Sequence, residues 1–332
     1  MVNPRPKFVP SMPHEHPPRK GILAYHPRSA ASGSITDSIP ADYLSIASGT
    51  LIAIGKAPDA SIFQGVSMKF AKPALAVSLA LLSLAVNTAH ADALADIQKS
   101  GTVRIAVPQD FAPFGSVNAD LQLQGLDIDV AKLIAQKMGV KVQLVPVASA
   151  NRIAYLQTHK ADLVISTLGK NAEREKVIDF SQAYAPYNNS VFGVAAVKVT
   201  GPADLAGKTV GVARGTFQDL QLTDTAPKSA TIKRYEDNNA MISAYVSGQV
   251  QLVGTGDFVA YALAEKAPDN KPVLKYIINE SSCSVGLNKG EAALLAKVND
   301  VLTAAKKSGE LNGIVQKWLN VPLPTKMATT FQ

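Results

Sequence analysis

From about residue 102 onward, short apolar runs alternate with amphipathic stretches. Val103-Arg104-Ile105-Ala106-Val107 reads as a strand. Val130, Leu133, Ile134 and Met138 share one helical face, and Gly139 follows as a C-terminal stop. Val140, Val142 and Leu144 then alternate with Lys141 and Gln143, the period of a half-buried strand. A second helix is expected over about 151–159, and Leu163-Val164-Ile165 is a short buried strand. This βαβαβ order predicts a largely parallel sheet covered by helices.

The pattern restarts after Pro202. Lys208 to Val212 is a strand candidate that enters the turn Arg214-Gly215-Thr216 and then a helix. Helices are expected near 240–247 and 258–266, around a short strand at Val250 to Val253. Glu291 to Leu319 is a long amphipathic region broken at Ser308-Gly309. The chain therefore holds two similar α/β units.

The first ninety residues do not share this pattern. Met1 to Ser67 carries nine of the twenty prolines and three of the five histidines and has no regular period over most of its length. Proline at that density removes ladder donors, so 1–67 is expected to be a disordered or mis-annotated extension. Residues 68–91 read as a secretory signal peptide. Lys69 and Lys72 precede an uncharged apolar run of 13 residues, Ala74 to Val86, and Ala89-His90-Ala91 supplies a small-x-small cleavage site. The run is too short for a membrane span of about 20 residues. Translation is accordingly expected to begin at Met68, and the mature chain at Asp92, free in the periplasm.

Composition matters once that segment is set aside. The whole chain of 332 residues has a formal charge of +7, which could point to an anionic polymer. From Asp92 onward there are 25 basic and 22 acidic residues, a net of +3, so the case for nucleic acid loses its support. One cysteine, Cys283, excludes an internal disulfide and a Cys-rich zinc site, and no cofactor is expected. Cys283 reads as a small buried residue, Trp318 as packing for the last helix, and His159 as exposed.

Gly125-Leu126-Asp127-Ile128-Asp129-Val130-Ala131-Lys132-Leu133-Ile134-Ala135 is, on its own chemistry, a helix start with Asp127 or Asp129 as its cap. As a string it resembles the signature of the family-3 periplasmic solute-binding proteins of polar amino-acid ABC transporters. Ala112-Pro113-Phe114, Asp162 to Ser181, Asp204 to Thr216 and Ser308 to Leu319 resemble the same family in order and spacing. The resemblance implies a two-lobed α/β fold of the periplasmic-binding-protein type II, with mostly parallel sheets and two hinge crossovers, placed near 193–198 and 284–288. Residues 92–195 and 287–332 would form lobe 1, and 196–286 lobe 2. It further implies capture of an L-amino acid in the cleft, delivery to a membrane permease, and a monomer.

Candidate ligand-binding residues follow from the resemblance, each beside a plainer reading. Arg174, otherwise a surface partner of Glu173 or Glu175, would grip the ligand carboxylate with two parallel hydrogen bonds. Thr216 and Phe217 open a helix whose first-turn N–H groups suit an anion, and Thr216 equally serves as its N-cap. Asp257, otherwise a turn residue, would face the ligand ammonium. Phe111 would pack on the ligand, with Phe114 left to the core. Thr167 and Gly169 match contact positions, although Gly169 stands where Ser or Thr is commoner. Ser149 and Arg152 resemble side-chain readers of the glutamate/aspartate-binding branch. That branch also has an Arg near Pro108 and a His near Asn238, and this chain has neither, so the resemblance leaves the ligand side chain open. Arg152 read by itself is a solvated helix arginine.

Two other functions compete. A periplasmic cyclohexadienyl dehydratase resembles the same fold, but its chemistry needs a general acid or base in the cleft. The candidates here are Glu173 and Glu175, and His159 is poorly placed. A signalling role, in which the closed form reports ligand to a receptor, is the other.

Overall fold

A computed structural model describes residues 92–327. The expected extension 1–67 and signal peptide 68–91 lie outside them. The chain opens with helix α1 (Ala93–Ser100), capped by the Asp92 side chain, which accepts from the Leu94 N–H. Its first half then runs β1 (Thr102–Val107), a small three-stranded sheet β2 (Asp110–Phe111), β3 (Gly115–Val117) and β4 (Leu123–Gln124), α2 (Leu126–Met138), β5 (Lys141–Pro146), a 3₁₀ turn at Ser149–Asn151, α3 (Arg152–Gln157), β6 (Leu163–Leu168) and α4 (Ala172–Val177). A long strand β7 (Ile178–Gly193) leads to the second half. This comprises β8 (Thr209–Ala213), α5 (Phe217–Thr225), β9 (Thr231–Tyr235), α6 (Asn238–Val246), β10 (Leu252–Gly256) and α7 (Asp257–Lys266). A second long strand, β11 (Val273–Asn288), returns to α8 (Ala292–Ser308) and α9 (Glu310–Leu319).

One eight-stranded sheet has the order β5-β1-β6-β11-β7-β10-β8-β9. Both halves use the same local order, with the first strand flanked by the second and third, and their internal pairings are parallel. The antiparallel pairings are those of β7 and β11. Central β6 is buried at all six positions, as a strand covered on both faces must be. Edge strand β5 keeps exposed Lys141 and Gln143 opposite half-buried Val142 and Leu144, which protects its free edge.

Apolar clusters fill both faces of each half. In the first, Ile105, Ile128, Ile134 and Leu163 pack with Leu294, Val298, Leu302 and Val315 of α8 and α9, so the C-terminal helices complete that core. Leu156, Val164, Leu168 and Ile178 fill its opposite face. In the second half, Phe192, Met241, Tyr245 and Val253 lie on one face, and Val210, Val212, Leu222 and Leu252 on the other. The Glu291 side chain accepts from the Ala93 N–H at 3.0 Å and ties α1 to the start of α8.

Three expectations change in detail. The passage between halves lies within β7 and β11 themselves. β11 pairs with β6 from Ser284 to Leu287, and β7 pairs with β10 from Asn189 to Gly193. The change of neighbours thus falls on β7 before Gly193, upstream of the expected 193–198. Neither Asp127 nor Asp129 caps α2. The carbonyls of Pro113 and Phe114 already accept from the Leu126 and Asp127 N–H groups, which frees both side chains for tertiary contacts. Asp129 accepts from Trp318 Nε1 and Lys317 Nζ, each at 2.7 Å, so Trp318 packs the last helix through a hydrogen bond. The strand expected at 250–253 is displaced to Leu252–Gly256.

Candidate functional site

Strand β8 runs opposite to β1 and β6 in the sheet, and the residues that follow the carboxyl ends of all three, Pro108, Gly169 and Thr216, line one cleft. In α/β sheets a ligand crevice forms at such carboxyl ends. A narrow cleft lies there. The first half lines it with Pro108, Phe111, Ser149, Arg152, Ser166, Thr167, Gly169 and Arg174. The long strands add Tyr187, Asn189 and Ser281, and the second half adds Thr216, Phe217 and Gln218. A wider groove beside it, lined by Gln109, Asp110, Asp237 and Ile242, holds no cation. Two buried arginine side chains converge in the narrow cleft, which makes it the candidate site.

Two guanidiniums dominate it. Arg152 opens α3 and is 4% exposed; Arg174 lies in α4 and is 8% exposed. Asn171 caps α4 by accepting from the Arg174 N–H at 2.8 Å, which fixes the direction of the arginine. Arg152 donates through Nε to the Ser149 carbonyl at 2.9 Å, through Nη1 to the Ser166 carbonyl at 2.8 Å, and through Nη2 to the Gly215 carbonyl at 3.1 Å. Arg174 donates through Nη1 to the Gly169 carbonyl at 2.9 Å and through Nη2 to the same Gly215 carbonyl at 3.2 Å. Burial pulls both guanidiniums below their ordinary range. Arg174 falls to about 9, with the charge of Arg152 adding to the burial. Both plainer readings therefore give way: Arg152 is not solvated, and Arg174 does not pair with Glu173, which instead bonds Lys176.

Gly215 brings the second half against these arginines. Its φ is +72°, and a Cβ there would lie 2.7 Å from the Ala150 Cα, so only glycine permits both the turn and the approach. Thr216 caps α5 by accepting from the Asp219 N–H at 3.2 Å. Thr167, at φ +49°, donates to Asp127 Oδ2 at 2.9 Å, and Tyr184 donates to Asp127 Oδ1 at 2.7 Å. Asp127 is fully buried, and burial raises its carboxyl to about 7 against the pull of those two hydroxyls. Asp127 thus stands behind Thr167 as a support for the cleft wall.

An aromatic group closes the base. Tyr187 sits 6.4 Å from Phe111 and 5.5 Å from Phe114, centroid to centroid, and its hydroxyl accepts from Gln218 Nε2 at 3.1 Å. Phe114 is wholly buried in the core, while Phe111 reaches the cleft. The end of β10 lies under the Tyr187 ring, where a Cβ on Gly256 would meet ring atoms at 2.5 Å.

The structure brings Phe111, Ser149, Arg152, Thr167, Gly169, Arg174, Thr216 and Phe217 together in the cleft. Asp257 is not among the lining residues. It follows Gly256 at the head of α7, and its carboxylate accepts from Asn188 Nδ2 at 3.0 Å and from the Phe258 N–H at 2.9 Å. Burial raises its pKa. Side chains alternate along a strand, so Asn188 points away from the face that carries Tyr187 and Asn189. Tyr187, Asn189, Ser281 and Gln218 are lining residues that sequence reasoning missed. The signal for the first two was the i, i+2 spacing inside the segment 178–193, visible only once that segment is recognised as a strand.

A model of the bacterial extracellular solute-binding proteins, family 3, matches residues 103–321. The L-cystine-binding protein of Escherichia coli (strain K12) is 26% identical over 229 residues, covering 67% of this chain and 84% of that one. The ABC transporter glutamine-binding protein of Bacillus subtilis (strain 168) is 28% identical over 233 residues, with 69% and 85% covered. Among solved structures, an amino acid ABC transporter substrate-binding protein of Streptococcus pneumoniae bound to L-arginine superposes with a TM-score of 0.61 at 32% identity, covering 67% of this chain and 96% of that one. An ancestral amino acid-binding protein, described as a precursor of cyclohexadienyl dehydratase, gives 0.63 at 31% identity, with 68% and 99% covered.

Proposed function

The chain belongs to the bacterial extracellular solute-binding proteins of family 3, and on that footing we propose that it captures a small amino acid between its two halves and delivers it to the permease of an ABC transporter. One observation carries the reading. Two buried arginines of the first half face the turn Gly215–Phe217 of the second half in a cleft that both halves line. Fork-shaped guanidinium matches a carboxylate with paired hydrogen bonds, and such a bond gains strength when water is excluded. A carboxylate held by Arg174 from one side and by the N-terminus of α5 from the other would draw the halves together.

The ligand set in this reading is Phe111, Ser149, Arg152, Thr167, Gly169, Arg174, Thr216 and Phe217, with Asp257 as an outer neighbour. The two lobes divide near the borders 92–195 with 287–332, and 196–286, the exchange of strand neighbours falling inside β7 and β11. The chain acts outside the cytoplasmic membrane after cleavage of its signal peptide, as a monomer, without cofactor or nucleic acid, and as a carrier rather than an enzyme. Titration calorimetry of the purified protein against the amino acids tests it. Binding of at least one, lost when Arg174→Ala is introduced, is the expected result. Silence with every amino acid, or full affinity in the Arg174 variant, would refute the assigned site. Turnover of prephenate or arogenate would point to the dehydratase reading.

A further inference from the structure

Thr167 lines the cleft, yet its hydroxyl is committed to the wall behind it, donating to Asp127 Oδ2 at 2.9 Å. A threonine hydroxyl has one hydrogen, so while that bond stands it offers the cleft only lone pairs. Asp127 Oδ1 accepts from Tyr184 at 2.7 Å, so each carboxylate oxygen holds one hydroxyl. On the cleft side, Arg152 Nη1 donates to the Ser166 carbonyl at 2.8 Å and to the Thr167 carbonyl at 3.4 Å. Cation, hydroxyl and buried carboxylate are thus neighbours, and the charges of Asp127 and Asp110 act on Arg152.

The groups that face Asp127 are Thr167 from β6, Tyr184 from β7, Cys283 from β11 and, at longer range, Arg152 from α3. Burial holds the Tyr184 hydroxyl and the Cys283 thiol well above their ordinary values, so both stay neutral. Lys317 of α9 also reaches α2 but pairs with Asp129. Asp127 is raised to about 7 by burial, against the pull of the two hydroxyls and of Arg152, and so changes charge near neutral pH. An acid group bound to Arg152 cancels part of that cation's pull and sets a like charge across Thr167. Both effects favour the protonated carboxyl.

We propose that Asp127 takes up a proton when an acid group of the solute enters the cleft, and that the Thr167 hydroxyl is thereby released to donate to the solute. This rests on the reading of the cleft as the solute site. The proton comes from solvent and settles on Asp127 Oδ2. That O–H then donates to Thr167 Oγ1, whose own hydrogen turns to a solute oxygen. Asp127 never touches the solute and is a positioning residue. Linkage is reciprocal, so proton and solute each tighten the binding of the other, and affinity falls as pH rises past about 7.

Calorimetry of the unmodified protein tests it. The common L-amino acids are screened at about pH 7.5, and the one that binds most tightly is titrated in phosphate and in Tris, whose ionisation heats differ. The expected results are uptake of at least about 0.3 proton per solute, and affinity at least about threefold weaker at about pH 8.5 than at about pH 6. Asp127→Asn, whose amide donates to Thr167 at every pH, should bind with equal affinity at both and without uptake. Tyr184→Phe removes a hydroxyl that favours the carboxylate, so its loss of affinity should begin at higher pH. Smaller uptake or a flat affinity profile in the parent overturns the inference and leaves the amino-acid reading intact. Uptake retained in Asp127→Asn also overturns it, as does, should that variant fail to fold, a profile unmoved in Tyr184→Phe. If no amino acid binds, the proposed function fails with it.

Discussion

Asp127 shows how one side chain can leave its local role for a tertiary one. It sits in the first turn of α2, where its sequence context suits a cap, yet it accepts from Thr167 and Tyr184 inside the core. Its carboxyl is raised to about 7, above the ordinary value of 3.8. Between those two pH values the folded chain holds a proton that the unfolded chain has released. The contribution is therefore most favourable below about pH 4 and declines as pH rises toward 7, by on the order of 4 kcal/mol in the limit. The variant Asp127→Asn should lack this component. Urea unfolding of both proteins at about pH 4.5 and 7.5 should show a steeper loss of stability with pH in the parent. Equal slopes would mean that Asp127 titrates normally. At the cleft, exchange of Arg152 for Gln should remove a buried charge that donates to the Ser149, Ser166 and Gly215 carbonyls, and lower solute affinity by at least about tenfold, read by titration calorimetry.

At the scale of elements, the parts most legible in the sequence were those whose hydrophobic period is local. The face Val130–Leu133–Ile134, the alternation Val142–Leu144 and the break at Ser308-Gly309 all reappear as α2, β5 and the α8–α9 joint. Of the two longest strands only the ends were read, as crossovers near 193–198 and 284–288. β7 is interrupted in pattern by Pro186 and by the polar run Asn188-Asn189-Ser190, and β11 carries Glu280 and four polar or small residues from Ser281 to Ser284. Both strands lie in the interior of the sheet and are packed by helices, as α7 and α8 pack on β7, so neither shows the clean alternation of a strand with one wet face. The same blind spot hid Tyr187 and Asn189. The arginines were legible only through likeness to a family, since nothing local to Arg152 or Arg174 announces burial.

Two glycines of the last helices offer a matched test. Gly309 ends α8 at φ +82° with open space where a Cβ would stand, so Gly309→Ala should cost about 1 kcal/mol through backbone strain alone. Gly313 lies inside α9, exposed and equally open, so Gly313→Ala should stabilise by roughly 0.5–1 kcal/mol. Thermal unfolding should show opposite signs, and equal signs would contradict the assigned helix boundary.

On the scale of the whole molecule, the halves meet through apolar packing, as between Phe114 and Phe258 at 6.4 Å centroid to centroid, and through a few polar points. The Asp110 carboxylate accepts from the Asn238 N–H at 2.7 Å and from Asn238 Nδ2 at 3.0 Å, a buried bridge from the loop after β1 to the start of α6. Asp110→Ala should leave that N–H without its partner and lower solute affinity by roughly tenfold, with the unfolding midpoint less affected. Gly215→Ala should act more severely, because the added methyl strikes the Ala150 backbone and holds the turn away from both arginines. Small-angle scattering with and without solute should then show no compaction in that variant. Compaction equal to the parent's would show that the turn can yield elsewhere.

β7 and β11, each of 16 residues, are hydrogen-bonded to each other along nearly their entire length, with irregular register at Leu274/Tyr276, Ile277/Asn279, Cys283/Ser284 and Ser284/Gly286. Such a ribbon behaves as a leaf spring. It resists stretching and in-plane shear, because either would break a row of ladder bonds at once, and it yields to bending about the line across its width. The halves are thereby left with little more than one soft degree of freedom, so every solute that closes the molecule should close it along one path, and the closed form presented to a membrane partner should have one shape whatever the solute.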